Sequence, residues 1–362
     1  MGIGWRLAQA GRHVDVFERG EAGRGSSWAA AGMLAAGLEA EPGEQALLAL
    51  NRASQGLWPD FAAELENWAA MPVFLRREGT LMLALTRDDA ARLKFNFEFQ
   101  RSLGIDLEWL SGTEARRREP YLSPHLAAAI FSPGDHQVEN RALVEALRRA
   151  FAKAGGTLHE GMKVDAIEIA NGHVVGVRLP RHVHAADIVV LAAGAWSNEI
   201  GGIPPELRPP VRPVKGQMVA LRMDPSAPLL RHVVWAAKAY VAPRTDGRLV
   251  IGATVEERGF DAAMTAGGVL ALLEGAWRAI PGIEDLPIDE MWCGFRPGSR
   301  DDAPVLGPTG IDGLVYATGH YRNGILLTPI TARAISHYIL SGEVEDAMRP
   351  FTLDRFKVRT EA

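Results

Sequence analysis

Within the first twenty positions the apolar pattern changes period once. From Trp5 to Ala10 apolar residues recur at helical spacing and stop at Gly11; His13-Val14-Asp15-Val16-Phe17 then alternates as a strand and ends in Glu18-Arg19-Gly20. Further helices are predicted over about 44–65, 87–103, 140–154, 264–280 and 324–340, the third amphipathic and closed by Gly155-Gly156. Strands are predicted over 79–85, 126–131, 164–170, 174–179 and 313–319, with Asn171-Gly172 as a hairpin turn. The run Ile188-Val189-Val190-Leu191-Ala192-Ala193-Gly194 is apolar throughout, as in a parallel strand buried on both faces whose end meets a ligand. Prolines between 205 and 213 mark a crossover, after which 217–221, 239–242 and 248–253 read as an antiparallel sheet in a second, inserted domain.

The helix and strand at the start form half of a dinucleotide-binding βαβ unit. In that unit a strand and a Gly-x-Gly-x-x-Gly turn precede the helix, and an acidic residue ending the second strand bonds ribose hydroxyls. Glu18 occupies the acidic place, but Met1-Gly2-Ile3-Gly4 opens directly in the helix. We therefore expect a misassigned start, with roughly 15–20 further residues of strand and glycine turn upstream.

Bulk properties narrow the partners. A net charge of −5 with scattered Lys and Arg argues against nucleic acid and acidic membranes and leaves a small molecule. The single cysteine, Cys293, excludes an internal disulfide and a cysteine metal cluster, so a reducing, cytoplasmic setting is expected. No stretch has the roughly 18 apolar residues of a membrane span or the layout of a signal peptide. The ten histidines lack metal-ligand spacing, and neither a Gly-x-Ser-x-Gly turn nor a Walker loop occurs.

Three features carry chemistry. The small-residue stretch Arg24-Gly25-Ser26-Ser27 into Trp28-Ala29-Ala30-Ala31-Gly32-Met33 allows a close backbone approach to a ligand. Tyr316-Ala317-Thr318-Gly319 leads into a loop opening a helix, whose positive end could stabilise negative charge on a reduced ring. Arg296, read as part of a tight Pro-Gly turn, and Arg322, in the helix-opening loop, each offer a planar clamp for a carboxylate, and Tyr240 could add its hydroxyl. Taken singly, either arginine fits pairing with Asp301 or Asp302, or the surface, better than a ligand, and Tyr240 fits packing.

Together, Val16-Phe17-Glu18-Arg19, Ala30-Ala31-Gly32-Met33-Leu34, Ala192-Ala193-Gly194-Ala195-Trp196, Arg212-Pro213-Val214-Lys215-Gly216-Gln217, Val250-Ile251-Gly252-Ala253-Thr254, Gly294-Phe295-Arg296-Pro297 and the loop from Gly319 to Leu326 resemble the D-amino-acid oxidase superfamily. The likeness runs through nearly the whole chain, and the Ala-Gly-Met-Leu loop, Thr265-Ala266-Gly267-Gly268 and the His-Tyr-Arg-Asn-Gly loop point to its glycine oxidase branch of thiamine biosynthesis. The resemblance implies an α/β plus α+β protein. A discontinuous, Rossmann-like FAD-binding domain would span 1–75, 135–205 and 300–345, its first strand and glycine turn missing, and an antiparallel-sheet substrate domain would span 76–134 and 206–299.

It also implies roles. Glu18 and Arg19 would hold the adenosine ribose, Ser26 and Ser27 would approach the pyrophosphate, and Ala31, Gly32 and Met33 would line the isoalloxazine. Val164 would meet adenine through its backbone. His320, Tyr321, Arg322, Asn323, Gly324, Ile325 and Leu326 would cover the pyrimidine edge of the flavin. Arg296 would clamp the substrate carboxylate, with Arg322 and Tyr240 completing the pocket. The reaction implied is hydride transfer from the substrate α-carbon with no dedicated acid or base, oxygen as acceptor, and glyoxylate, ammonia and hydrogen peroxide as products. Implied partners are a small amino acid, oxygen, further copies in a homotetramer and a thiazole synthase. FAD is expected to be non-covalent, although some sarcosine oxidases of the superfamily attach it to a cysteine, which Cys293 could imitate. Lys238 stands where related chains have a histidine near the site entrance. Two other readings stay open: a D-amino-acid dehydrogenase feeding a quinone, and a truncated, non-catalytic flavoprotein.

Overall fold

A computed structural model describes residues 1–357. The opening helix, Gly2–Gln9, buries Trp5 against the amphipathic helix Asn140–Lys153 and the long helix Gln45–Ala69. Trp5, Trp58, Phe61, Leu143 and Phe151 form the centre of that layer, with Trp5 and Trp58 both edge-on to Phe61. Strand Asp15–Phe17 follows as expected and pairs in parallel with Thr157–His159.

A separate three-stranded sheet places Val189–Leu191 parallel to Leu314–Thr318, which runs antiparallel to Val305–Pro308. Among the described residues no hydrogen-bonded strand joins this sheet to the Asp15–Phe17 pair. Val189 and Val190 are consequently half-buried, and Ile188 is exposed. The apolar run predicted a strand covered on both faces; it is instead an edge strand with one hydrogen-bonded neighbour. The predicted hairpin joins Ala166–Ala170 to His173–Arg178, and Asn171 and Gly172 have φ of 52° and 79°, the two positive values a two-residue hairpin turn requires.

Eight strands make the second layer, in the order Ile288–Gly298, Arg212–Arg222, Arg248–Gly252, Tyr240–Pro243, Val233–Trp235, Thr80–Ala84, Ala128–Ser132 and Glu108–Ser111. Most pairs are antiparallel; Val233–Trp235 and Thr80–Ala84 run parallel where the two chain segments meet. Alternation assigns its two faces. Val219, Leu221, Val241, Leu249 and Ile251 face Leu272, Ala276 and Ala279 of helix Ala266–Ala279. Met218, Ala220, Ala242, Val250 and Trp292 face the other way, toward Ala29 and Ala31.

Two expectations are corrected. Arg296-Pro297-Gly298 is not a turn but the end of the 11-residue edge strand Ile288–Gly298. Pro297 lies opposite Pro213, and the Lys215 amide two positions on donates away from this partner, to Glu256 O. The proline pair thus sits at a register position that exchanges no hydrogen bonds, and an edge strand tolerates it. The final helix is Thr328–Ser341 rather than 324–340, because Pro329 fits its first turn and the chain before it stays a loop with Tyr321 at φ 45°. No helix among the described residues is long and apolar enough to cross a membrane.

Candidate active site

The sheet face turned toward Ala29 and Ala31 carries Arg296 and Tyr240. Trp292 Nε1 donates to Ala29 O at 3.0 Å, and Arg296, four residues on in the same strand, shares its face. Arg296 Nη1 donates to Thr254 O at 3.1 Å and approaches Lys215 O at 3.4 Å. A side chain at Gly216 would come within 2.5 Å of that guanidinium, so the glycine in Lys215-Gly216-Gln217 is what lets Arg296 lie flat on the sheet. Gly252 does the same for the Tyr240 ring, whose hydroxyl rests against Met218 Sδ at 3.4 Å. Burial pushes that hydroxyl up to about 12 against the pull of neighbouring Arg296, so it is a neutral donor.

Two loops meet this face. One is Ala30 to Glu39, tied down from both ends. Buried Arg244 donates to Ala31 O, and also to Val138 O at 3.1 Å and Asn140 Oδ1 at 3.2 Å. Asp135 accepts from the Gly37 amide at 2.9 Å and the Leu38 amide at 2.8 Å, and burial raises its carboxyl. The second loop runs from His320 to Leu327. His320 bridges to Gly298, and the Tyr321 amide donates to Pro297 O at 3.0 Å, which sets this loop beside Arg296. Ser54 and Trp58 of the long helix donate to Leu326 O at 2.7 and 2.9 Å. Burial drops His320 to about 4, so its ring is neutral; it meets Thr331 Oγ1 at 3.1 Å.

Arg296, Arg322 and Tyr240 therefore all come within electrostatic range of Glu39, but the two arginines are not equivalent. Arg322 Nε lies 3.7 Å from Glu39 and its Nη2 lies 3.6 Å from Glu41. Among the described residues Arg296 has no carboxylate at ion-pair distance. The carboxylates foreseen as arginine partners bind elsewhere, Asp301 to Arg355 at 2.8 Å and Asp302 to Arg212 at 3.8 Å. Glu39 was not foreseen. Burial pushes its carboxyl up to about 7, opposed by Arg322 and Arg296 and reinforced by Asp135 and Glu41, and its Oε2 has no hydrogen-bond partner.

The nucleotide-side candidates spread along the other layer. Glu18 Oε1 accepts from the Gly20 amide at 2.9 Å, leaving its second oxygen for another donor. Arg19 lies over the Trp196 ring at 4.5 Å and beside Glu199. The Met162 amide donates to Glu18 O at 2.8 Å, which brings the segment containing Val164 alongside Glu18. Ser26 Oγ donates to Phe295 O at 2.6 Å, while Ser27 is exposed. Gly32 accepts from the Val138 amide, and Met33 pairs with Gln137. Asn323 and Ile325 are buried and Gly324 half-buried in the second loop. A carboxylate at a strand end with a spare oxygen, near an exposed arginine, fits the ribose of a dinucleotide.

Cys293 lies on the opposite face of its strand: its thiol approaches Ala262 O at 3.3 Å, and its cross-strand partner Gln217 bonds Thr265 Oγ1 at 2.9 Å. Lys238 is exposed in the turn before Tyr240, with its Cβ near Gly275 of helix Ala266–Ala279. No group of three metal-binding side chains occurs among the described residues.

A dinucleotide-type layer, a loop of small residues and a facing sheet with a carboxylate-ready arginine define a flavin-type oxidoreductase. The family comparison agrees: the chain belongs to DAO, the FAD dependent oxidoreductases, whose family model matches residues 1–338. It is 38% identical to "Glycine oxidase" of Geobacillus kaustophilus (strain HTA426), over 98% of this chain and 93% of that protein. It is 35% identical to "Bifunctional protein ThiO/ThiG" of Trichormus variabilis, over 91% of this chain but 49% of that longer protein. The crystal structure of glycine oxidase from Geobacillus kaustophilus superposes with a TM-score of 0.91 at 36% identity, covering 98% and 95% of the two chains.

Proposed function

We propose that this chain is an FAD-dependent amine oxidase that deaminates glycine, with small N-alkylglycines or D-amino acids as further substrates, and works in the cytoplasm. The observation that carries the reading is Arg296, laid flat on the sheet face beside Tyr240 without a carboxylate of its own. A guanidinium so placed binds a substrate carboxylate as a planar pair, and the Tyr240 hydroxyl adds a neutral donor. Anchoring the carboxylate there leaves the short α-carbon and amine directed at the Ala30–Met33 loop, where the isoalloxazine would lie. When bound, FAD supplies the acceptor for the hydride and passes the electrons to oxygen as hydrogen peroxide. Water then converts the imine product to glyoxylate and ammonia.

Glu18, Arg19 and the backbone at Val164 would hold the adenosine, Ser26 and Ser27 the pyrophosphate, and Ala31, Gly32, Met33 and the loop from His320 to Leu326 the flavin ring. The placement of Cys293 on the far face of its strand supports a non-covalent cofactor. The fused ThiO/ThiG relatives support hand-over of the imine to a thiazole synthase. Membership of the eight-stranded sheet, drawn from 80–132 and 212–298, supports a substrate domain at 76–134 and 206–299 beside an FAD-binding one. The FAD-loaded protein, mixed with glycine without oxygen, is expected to lose its visible flavin absorbance and to release hydrogen peroxide on aeration. Bleaching without peroxide in air would favour the quinone-linked dehydrogenase, and no bleaching would contradict the reading.

A further inference from the structure

Resting on the cofactor placement proposed above, with adenosine at Glu18 and Arg19 and pyrophosphate at Ser26 and Ser27, one contact between the two layers touches both parts of that grip. Segment 253–265 joins strand Arg248–Gly252 to helix Ala266–Ala279 in the substrate layer, and Phe260 at its tip crosses to Trp196 of the nucleotide layer. We propose that Phe260 is a latch on the cofactor: stacked on Trp196, it holds Arg19 and the Gly25-Ser26 turn in place and so sets the rate at which FAD leaves.

Trp196 is the hub. Phe260 stacks on it nearly parallel, with ring centres 5.2 Å apart and planes inclined by 12°. Phe295, from strand Ile288–Gly298, stands edge-on to both rings, 6.0 Å from Trp196 and 5.3 Å from Phe260. These are the spacings of attractive aromatic pairs. The Arg19 guanidinium lies over the same Trp196 ring at 4.5 Å and pairs with Glu199 at 3.4 Å. A Cβ at Gly25 would come within 3.5 Å of the indole, and the adjoining Ser26 donates to Phe295 O at 2.6 Å. The side chain proposed for the ribose and the turn proposed for the pyrophosphate therefore rest on one aromatic cluster, and two of its three rings belong to the substrate layer.

The segment is firm at its base and loose at its tip. The Lys215 and Glu256 amides each donate to the other's carbonyl at 3.0 Å, and fully buried Lys215 donates through Nζ to Ala263 O. Gln217 Nε2 donates to Glu256 at 2.7 Å and to Thr265 at 2.9 Å. At the tip, Phe260 is 37% exposed, and a Cβ at Gly259, which has φ of 55°, would meet no atom within 4 Å among the described residues. A tip held by aromatic stacking on a fixed base can swing clear without unfolding the sheet. Phe260 and Trp196 are thus positioning residues, acting on the cofactor through Arg19 and Ser26.

The test is the rate at which FAD leaves the loaded protein on dilution, followed by flavin fluorescence, in wild type, Phe260→Ala, Phe260→Leu and Phe260→Tyr. Thermal midpoint and glycine KM at saturating FAD are measured alongside. Phe260→Ala should release FAD on the order of tenfold faster, the size expected for lost aromatic pairing. Phe260→Leu should fall between, Phe260→Tyr should stay within about twofold of wild type, and glycine KM should be unchanged in all three. Release from Phe260→Ala at the wild-type rate, whether or not its midpoint falls, makes Phe260 a packing residue and overturns the latch. Release from Phe260→Tyr as fast as from Phe260→Ala overturns it too. If Phe260→Ala does not fold, the same criteria apply to Phe260→Leu. A wild type that retains no FAD would instead overturn the cofactor reading on which the latch rests, which separates the two failures.

Discussion

Two arginines come within electrostatic range of Glu39 from regions built in different ways. Arg296 rises from the edge strand of an eight-stranded sheet and meets backbone carbonyls and the Tyr240 hydroxyl, whereas Arg322 sits in a strand-to-helix loop and meets Glu39 and Glu41. A sheet presents its side chains at fixed alternate positions, and the face around Arg296 is largely apolar, so Glu39 comes within electrostatic range but no carboxylate reaches ion-pair distance among the described residues. A loop of polar residues beside an acidic segment neutralises its cation locally. The same residue type is thus left ready for a ligand carboxylate in one region and spent on two protein carboxylates in the other.

The difference can be broken stepwise. The largest effect is expected from Arg296→Gln, which removes the charged clamp: kcat/KM for glycine should drop by about 2–5 kcal/mol in transition-state binding, roughly 30-fold to several thousand-fold. Steady-state assays with flavin content matched would measure it. Next is Glu39→Gln, read as stability rather than turnover. A carboxyl raised in the folded state from 4.5 to about 7 favours folding below the lower value and loses that contribution as pH rises through the upper one. The always-neutral glutamine should therefore match wild type near pH 4.5 and exceed it by about 3 kcal/mol above pH 8 in denaturant titrations.

Arg322→Gln should have a smaller effect, under about tenfold in kcat/KM, because a partly exposed pair contributes about 1 kcal/mol. It should also raise the Glu39 carboxyl further, since one of the two cations that hold it down is gone, and so steepen the loss of stability with rising pH in denaturant titrations. Tyr240→Phe should be smallest, raising KM a few-fold for a lost hydrogen bond of about 1 kcal/mol, with kcat little changed.

The regions also differ in how much of them the chain discloses locally. Helices with a polar side, such as Asn140–Lys153, and the Asn171-Gly172 hairpin were legible because the deciding contacts lie within a few residues. Strand Ile288–Gly298 was misread at its end, since Pro297 is permitted only by its register opposite Pro213, 84 positions away in the chain. Val189–Leu191 was read as doubly covered because composition does not tell how many neighbours a strand pairs with. Within the site, Arg296, Arg322 and Tyr240 could be picked out by type and motif. Glu39 and Arg244 could not. Glu39 lies in Leu38-Glu39-Ala40-Glu41, which looks like a solvated segment, and is buried only because Asp135 holds the preceding amides. Its one local signal was a carboxylate directly following the apolar run 28–38. Arg244 likewise draws its partners from Ala31 and from 138–140, far from its own strand.

Inhibition by acetate, a carboxylate without an amine, compares the two arginines most directly. Measured against glycine on the FAD-loaded protein, acetate should remain a competitive inhibitor of comparable strength in Arg322→Gln and lose most of its affinity in Arg296→Gln. Equal loss in both variants, or loss in Arg322→Gln alone, would contradict the assignment of the substrate carboxylate to the sheet arginine.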